Sequence, residues 1–173
     1  KKEITKEQLK TACDFSDLLE RVAQISPELR VRFSTSHPKD MSDKVLHVMA
    51  KYTNICKYIH LPVQSGSSSM LERMNRGYTR EWYLTRVETI RRLLPDCTIS
   101  ADIITGFCGE TEEEYEATIS LMNEVKFSFS YMFAYSERPG TLAHRNYKDD
   151  ISAAVKQTRL EKVVELQQKH SGE

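Results

Sequence analysis

The sequence predicts an α/β chain with a mostly parallel sheet, on three observations. Helical and extended segments alternate along the chain, as crossovers between parallel strands require, and such crossovers are right-handed. Each extended segment ends in a small or polar cluster, at the strand ends where such sheets bind ligands. The 173 residues, 39% hydrophobic and 29% charged, suffice for one domain with a real core and are marginal for two.

The first helix is expected from Thr5 to Ile25, where Leu9, Cys13, Leu18, Leu19, Val22 and Ile25 recur at a rough helical period. Thr5 and Gln8 fit a capping box, and Ser26-Pro27 stops the helix. Leu29–Ser34 alternates as a short strand, and Ser36-His37-Pro38 turns. Ser42 caps a helix carrying Val45, Leu46, Val48 and Met49 on its apolar side. Tyr58–Val63 is the second strand, and Gln64–Ser69 is a polar loop. A short helix with Met70, Leu71 and Met74 runs to the Arg76-Gly77 break. Thr79 caps a longer helix through Leu94, stopped by Pro95.

Thr98–Thr105 is the third strand, closed by a tight turn at Gly106–Gly109. Thr111 with Glu112, Glu113 and Glu114 opens the next helix, joining a capping box to negative charge at the positive end of the helix dipole. Leu121, Met122 and Val125 continue its apolar face. Phe127–Tyr135 is a fourth, aromatic strand, followed by a loop over Ser136–Thr141 and a polar stretch to Asp150. Val155, Leu160, Val163 and Leu166 mark a final amphipathic helix. Four parallel strands make an incomplete barrel or a small open sheet, and both edges need cover.

Composition narrows the function. Twenty-five basic and 25 acidic side chains cancel, so the balance shows no dominant electrostatic grip on nucleic acid. No run of 18 apolar residues is present and the first residues lack the apolar core of a signal peptide, so cytoplasm is the expectation. Cys13, Cys56, Cys97 and Cys108 show no CxxC or CxxxC spacing. They are expected to be unlinked thiols, with no metal motif among them.

The strand ends hold the candidate site residues. Asp102 lies inside an apolar strand, where a carboxylate needs a partner: a ligand or a structural hydrogen bond. His37 before Pro38 fits either a base or a turn histidine satisfied by backbone. His60, between Ile59 and Leu61, points opposite to both, toward a barrel interior or into ordinary packing. Gly106 and Gly109 serve turn geometry and also allow close approach of a cofactor. Arg76 at a helix end reaches a carboxylate or phosphate, or only solvent. Glu110 is a cofactor contact or the start of an acidic helix turn. Trp82 and Tyr83 fit helix packing better than base stacking. Ser65, His37 and Asp102 offer the members of a hydrolytic triad, but no local motif supports one.

Five ordered strings go further. Arg32-Phe-Ser-Thr-Ser-His-Pro38, His60-Leu-Pro-Val-Gln-Ser-Gly-Ser67, Met74-Asn-Arg-Gly-Tyr-Thr79, Ala101-Asp-Ile-Ile-Thr-Gly-Phe-Cys-Gly-Glu-Thr111 and Tyr135-Ser-Glu-Arg-Pro-Gly-Thr141 closely resemble the radical SAM methylthiotransferases, in the MiaB-type branch that modifies tRNA. The resemblance runs from about Lys6 to Gln168. It implies a partial (β/α)6 radical SAM TIM-like barrel, of which residues 1–173 form the later two-thirds with about four parallel strands. Cys108 stands where the family usually has proline.

For the parent protein the resemblance implies S-adenosylmethionine and two 4Fe–4S clusters, whose cysteine ligands are not among these residues, nor is the family's TRAM domain. It implies tRNA as substrate, at N6-isopentenyladenosine of position 37 in the anticodon loop, an electron donor such as flavodoxin or ferredoxin, and no membrane. The piece itself is expected to be inactive. By the same resemblance Gln64, Ser65, Gly66, Arg76, Asp102, Gly106, Glu110, Tyr135 and Ser136 lie on the cofactor side, and Ser36, His37 and Arg138 nearer the substrate. A barrel cut at this point implies an exposed strand edge, with low stability, disorder near the cut or pairing of two chains. The rival class is a cofactor-free α/β RNA-binding or scaffold module, against which the neutral charge argues.

Overall fold

The computed structural model describes residues 13–34 and 37–172. Its frame is a three-stranded parallel sheet in the order β1 (Tyr58–His60), β2 (Thr98–Thr105), β3 (Phe129–Ala134). Helices α1 (Phe15–Ala23) and α2 (Asp43–Lys51) precede β1, and α3 (Ser68–Arg73) and α4 (Arg80–Leu93) connect β1 to β2. Helix α5 (Glu112–Val125) leads to β3, and α6 (Leu142–Asn146) and α7 (Ala153–Ser171) follow it.

The caps form where the sequence places them. Ser42 accepts from the Val45 amide and Thr79 from the Trp82 amide. Thr111 and Glu114 close a reciprocal capping box at the start of α5. Each cap satisfies a backbone donor that the first helical turn leaves without a partner.

Strand alternation then divides the chemistry. Ile99, Ala101, Ile103 and Thr105 of β2 are buried against the helical layer, together with Ile59, Leu61 and Val63. Leu46, Met49, Tyr83, Tyr115, Leu121, Met122 and Phe127 complete this core. The opposite parity carries Ser100, Asp102 and Ile104, which the register sets beside Phe129, Tyr131 and Phe133 of β3. Those three aromatic side chains remain about half exposed. His60 joins the same face, opposite Ser100.

The structure departs from the sequence reading in four places. The expected strand Leu29–Ser34 shrinks to one parallel bridge, Val31 to Ile55. The pairing stops there because the Tyr58 amide turns back to the Cys56 carbonyl (2.9 Å), replacing a ladder bond by a local one. The second strand ends at His60 rather than Val63, since Pro62 has no N–H to donate. Its path still follows β2, through Leu61 to the Ser100 carbonyl and Gln64 to the Asp102 carbonyl. The described part of the first helix starts at Phe15, capped by Asp14 and Asp17. The Thr5–Gln8 cap lies outside the described residues. Within the expected polar stretch after Thr141, that residue caps the short helix α6.

One glycine is required by contact rather than by dihedral angle. A Cβ on Gly66 would stand 2.3 Å from the Ala117 carbonyl oxygen and 2.6 Å from Thr118 Cα. The Gly66 amide donates to Thr118 Oγ1 at 2.9 Å. This contact seats the loop after β1 on α5. Gly66→Ala should therefore destabilise the chain by about 2–3 kcal/mol, as overpacking against rigid backbone does, read as a lower midpoint in urea with an unchanged slope.

Candidate functional site

The carboxyl ends of the strands open into two adjoining grooves. One, of ≈ 630 Å³, is lined by Gln64, Asp102, Ile104, Phe133, Tyr135, Ser136 and Arg138 among others. The other, of ≈ 650 Å³, holds Gln64, Arg73, Arg76, Ile104, Phe107, Tyr135 and Tyr147 in its wall. Gln64, Ile104 and Tyr135 belong to both. The structure thus brings together Gln64, Asp102, Tyr135, Ser136, Arg138 and Arg76.

Gln64 is held in an unusual state. Its φ is 75°, in the left-handed region, and its backbone is clamped to β2 through its amide to Asp102 O (2.8 Å) and its carbonyl to Ile104 N (2.9 Å). Its side-chain Oε1 is buried without a hydrogen-bond partner among the described residues. A strained backbone and an unmet acceptor at a groove wall are the features of a ligand-facing residue. Asp102 contributes a second acceptor to the same groove. Its side-chain partner among the described residues is His60, whose Nε2 stands 3.3 Å from Oδ1.

Arg76 is half committed. Its Nη2 donates to the Pro62 carbonyl and its Nε to the Tyr78 hydroxyl, both at 3.1 Å. Tyr135 packs edge-on against Phe107 at 4.8 Å between centroids. Burial, with the Cys108 thiol beside it, pushes the Tyr135 phenol up to about 12. Burial likewise raises the Cys108 thiol.

Other expected residues stand apart from the grooves and support them. Ser65 is fully buried; its Oγ meets Thr118 Oγ1 at 3.2 Å and accepts from the Ser67 amide. The space a Gly106 side chain would need is filled by Lys156. Glu110, 3% exposed, accepts from the Gly106 amide at 2.7 Å and from Arg159 Nη1 at 2.8 Å. Burial raises its pKa against the lowering pull of those two partners. His37 accepts from the Lys39 amide, sets Nε2 3.1 Å from the Arg76 carbonyl and packs on Tyr78. Ser36 lies outside the described residues.

Sequence reasoning missed the wall built by Leu142, Ala143, Asn146 and Tyr147. The signal was present: Thr141 followed by helix formers, and two large apolar side chains in a polar stretch. It also missed Tyr58 and Ser100, which hydrogen-bond on the inner face of the sheet.

Comparisons with known proteins bear on the family and the fold. The radical SAM superfamily model matches residues 11–122. The chain belongs to the radical SAM superfamily. It is 60% identical over 161 residues to a tRNA-2-methylthio-N(6)-dimethylallyladenosine synthase of Amoebophilus asiaticus, covering 92% of this chain and 33% of the relative. The synthase of the same description from Flavobacterium psychrophilum is 57% identical over 164 residues, 95% of this chain and 34% of the relative. That of Porphyromonas gingivalis strain W83 is 55% identical over 159 residues, 92% of this chain and 34% of the relative. This radical SAM chain therefore spans about a third of the length of the curated relatives it matches. Among solved structures, coproporphyrinogen III oxidase from Escherichia coli, a radical SAM enzyme, superposes with a TM-score of 0.70 at 17% identity, over 96% of this chain and 37% of that one. This likeness is one of fold.

Two outcomes test the site's construction. At a left-handed position glycine is the relaxed residue, so Gln64→Gly should be more stable than Gln64→Ala by about 1 kcal/mol, the reverse of the ordering inside a helix or strand. Equal thermal midpoints for the two variants would contradict the strain at Gln64. Glu114 joins α3 to α5. Burial pushes its carboxyl up, but hydrogen bonds from Arg73, Ser69 and the Thr111 amide outweigh that and leave it below the usual carboxylate range. Its contribution to stability is thus present above the ordinary glutamate pKa and lost as pH falls through the lowered folded value. Arg73→Met should flatten the acid limb of the stability curve, followed by circular dichroism from neutral to acid pH.

Proposed function

We propose that residues 1–173 form the C-terminal part of the radical SAM core of a tRNA methylthiotransferase. The parent would add a 2-methylthio group to N6-isopentenyladenosine at position 37 of tRNA. The observation that carries this reading is the 60% identity to a synthase so described, across 92% of the chain. The groove chemistry supports it. S-adenosylmethionine is rich in donors, with an ammonium group and two ribose hydroxyls, and the groove offers the unmet acceptor of Gln64 and the carboxylate of Asp102.

When bound, that cofactor would supply a methyl group and radical chemistry. The chain's own residues bind and orient it. Asp102 and Gln64 accept its hydrogen bonds, while Ile104 and Phe133 give an apolar surface for the base. Arg76 borders the adjoining groove with charge for a carboxylate. Tyr135 and Ser136 close the far side, and Arg138 stands at the rim toward RNA phosphate. Ser65, Gly66, Gly106 and Glu110 hold the turns in place.

The described residues do not fit an iron–sulfur cluster. Among the described residues, no three His, Cys, Asp or Glu side chains gather as metal ligands. In this reading the two 4Fe–4S clusters are held elsewhere in the parent, electrons come from a flavodoxin or ferredoxin, and this piece alone does not turn over. No helix among the described residues is long and apolar enough to cross a membrane.

The test uses the whole gene. Expressed in a host whose tRNA lacks the 2-methylthio group, the encoded protein should restore 2-methylthio-N6-isopentenyladenosine in tRNA hydrolysates analysed by mass spectrometry. Soluble protein with no such nucleoside would overturn the proposal. Asp102→Ala in the same protein should reduce the yield at least about tenfold, the loss expected of a charge-assisted contact.

A further inference from the structure

The inner face of the sheet carries a connected polar row of which the proposed function uses only the last member, Asp102. Tyr58 Oη lies 2.7 Å from Ser100 Oγ, and Ser100 Oγ lies 2.8 Å from His60 Nδ1. His60 Nε2 stands 3.3 Å from Asp102 Oδ1. Ser100 is wholly buried, and the His60 and Asp102 side chains are 14% and 27% exposed. The tyrosine and histidine come from β1 and the serine and aspartate from β2, so sheet register builds the row. From β3, the Tyr131 ring meets the His60 ring edge-on at 5.9 Å.

We propose that His60 is a positioning residue: Ser100 and Tyr58 hold its ring by a hydrogen-bond chain, and its Nε2, 3.3 Å from Asp102 Oδ1, steers that carboxylate toward the groove by charge rather than by a formed hydrogen bond. The directions follow from donor and acceptor counts. A bare Nε2 lone pair 3.3 Å from a carboxylate oxygen would be repelled and an N–H there attracted, so His60 carries its proton on Nε2. The neutral ring then accepts at Nδ1, and Ser100 must donate there. The serine oxygen in turn accepts from the Tyr58 hydroxyl. Every member has one role, and each bond polarises the next toward the carboxylate.

Protonating His60 reverses the chain. Nδ1–H then donates to Ser100, whose own proton must turn to the Tyr58 oxygen, and the Tyr58 hydroxyl must donate elsewhere. The imidazolium also neutralises Asp102. Among the described residues the titratable groups facing His60 are Tyr58 from β1, Asp102 from β2 and Tyr131 from β3, and none of these brings another positive charge. A ligand that offers an ammonium, a sulfonium or a pair of hydroxyls to Asp102 therefore binds the neutral state better. This part rests on the reading of the groove as the S-adenosylmethionine side.

Two measurements test it. In the chain labelled with 15N at histidine, two-bond 1H–15N correlation should show His60 protonated on Nε2 alone, with the Nδ1 signal moved by Ser100→Ala. A ring protonated on Nδ1, or one indifferent to Ser100→Ala, overturns the positioning chain whether or not any ligand binds.

Calorimetry with S-adenosylmethionine on the whole encoded protein reads the consequence. His60→Leu should bind about tenfold more weakly, the loss expected when a fixed acceptor becomes mobile. His60→Gln, which keeps an amide donor toward Asp102, should recover most of the affinity. Wild-type affinity in folded His60→Leu would overturn the inference. No uptake by the wild type would overturn the functional reading, while the tautomer still decides the positioning chain.

Discussion

β2 is paired along both edges, and the site takes its geometry from that strand's register. Each step along it alternates between the helical core and the open face. Ser100, Asp102 and Ile104 fall on the open side because Ile99, Ala101 and Ile103 are drawn into the core. A slip of one residue would bury the carboxylate and expose the isoleucines. Gln64 of the neighbouring segment is fixed by two backbone hydrogen bonds to the same strand. The two acceptors of the groove are thus placed by one ladder, without a loop having to find them.

The turn that ends β2 is held from behind by charge. Glu110 and Arg159 form a pair whose side chains are 1% and 8% exposed. Arg159 also reaches Glu112 and the Glu110 carbonyl. Lys156, one turn earlier in α7, binds Asp149 and the Tyr135 carbonyl. Buried ions lose hydration, and such pairs endure only when their remaining hydrogen-bonding capacity is met. Here the Gly106 amide and the Glu110 carbonyl meet most of it. Helix α7 consequently docks in one position, over the turns that end β2 and β3.

Much of this was legible in the sequence, and the failures have physical causes. The third strand was read to the residue, because Thr98 to Thr105 is largely apolar in its second half and lies between clear stops at Pro95 and Gly106. Helix starts at Ser42, Thr79 and Thr111 were read from cap chemistry, which is local. The first strand was misread because alternation at Leu29–Ser34 says nothing of whether a partner strand stays in step beyond Ile55. In the site, Gln64, Asp102, Tyr135 and Arg138 converge on a groove. Glu110 and Gly106 sit in motif and turn toward α7 instead, and only the path of a helix nearly fifty residues later decides that. The Tyr58–Ser100–His60 row was invisible for the same reason: it exists only in the register between strands.

The column of Phe129, Tyr131 and Phe133 reads in sequence like core yet stands about half exposed. Among the described residues its strand is paired on one edge only. Aromatic rings beside an unpaired edge are what self-associating sheets use to grow. The face that carries the candidate groove is therefore also a surface prone to aggregate. A ligand or partner covering this face would shield those rings as well, so the soluble yield of the protein would be coupled by mass action to its occupancy.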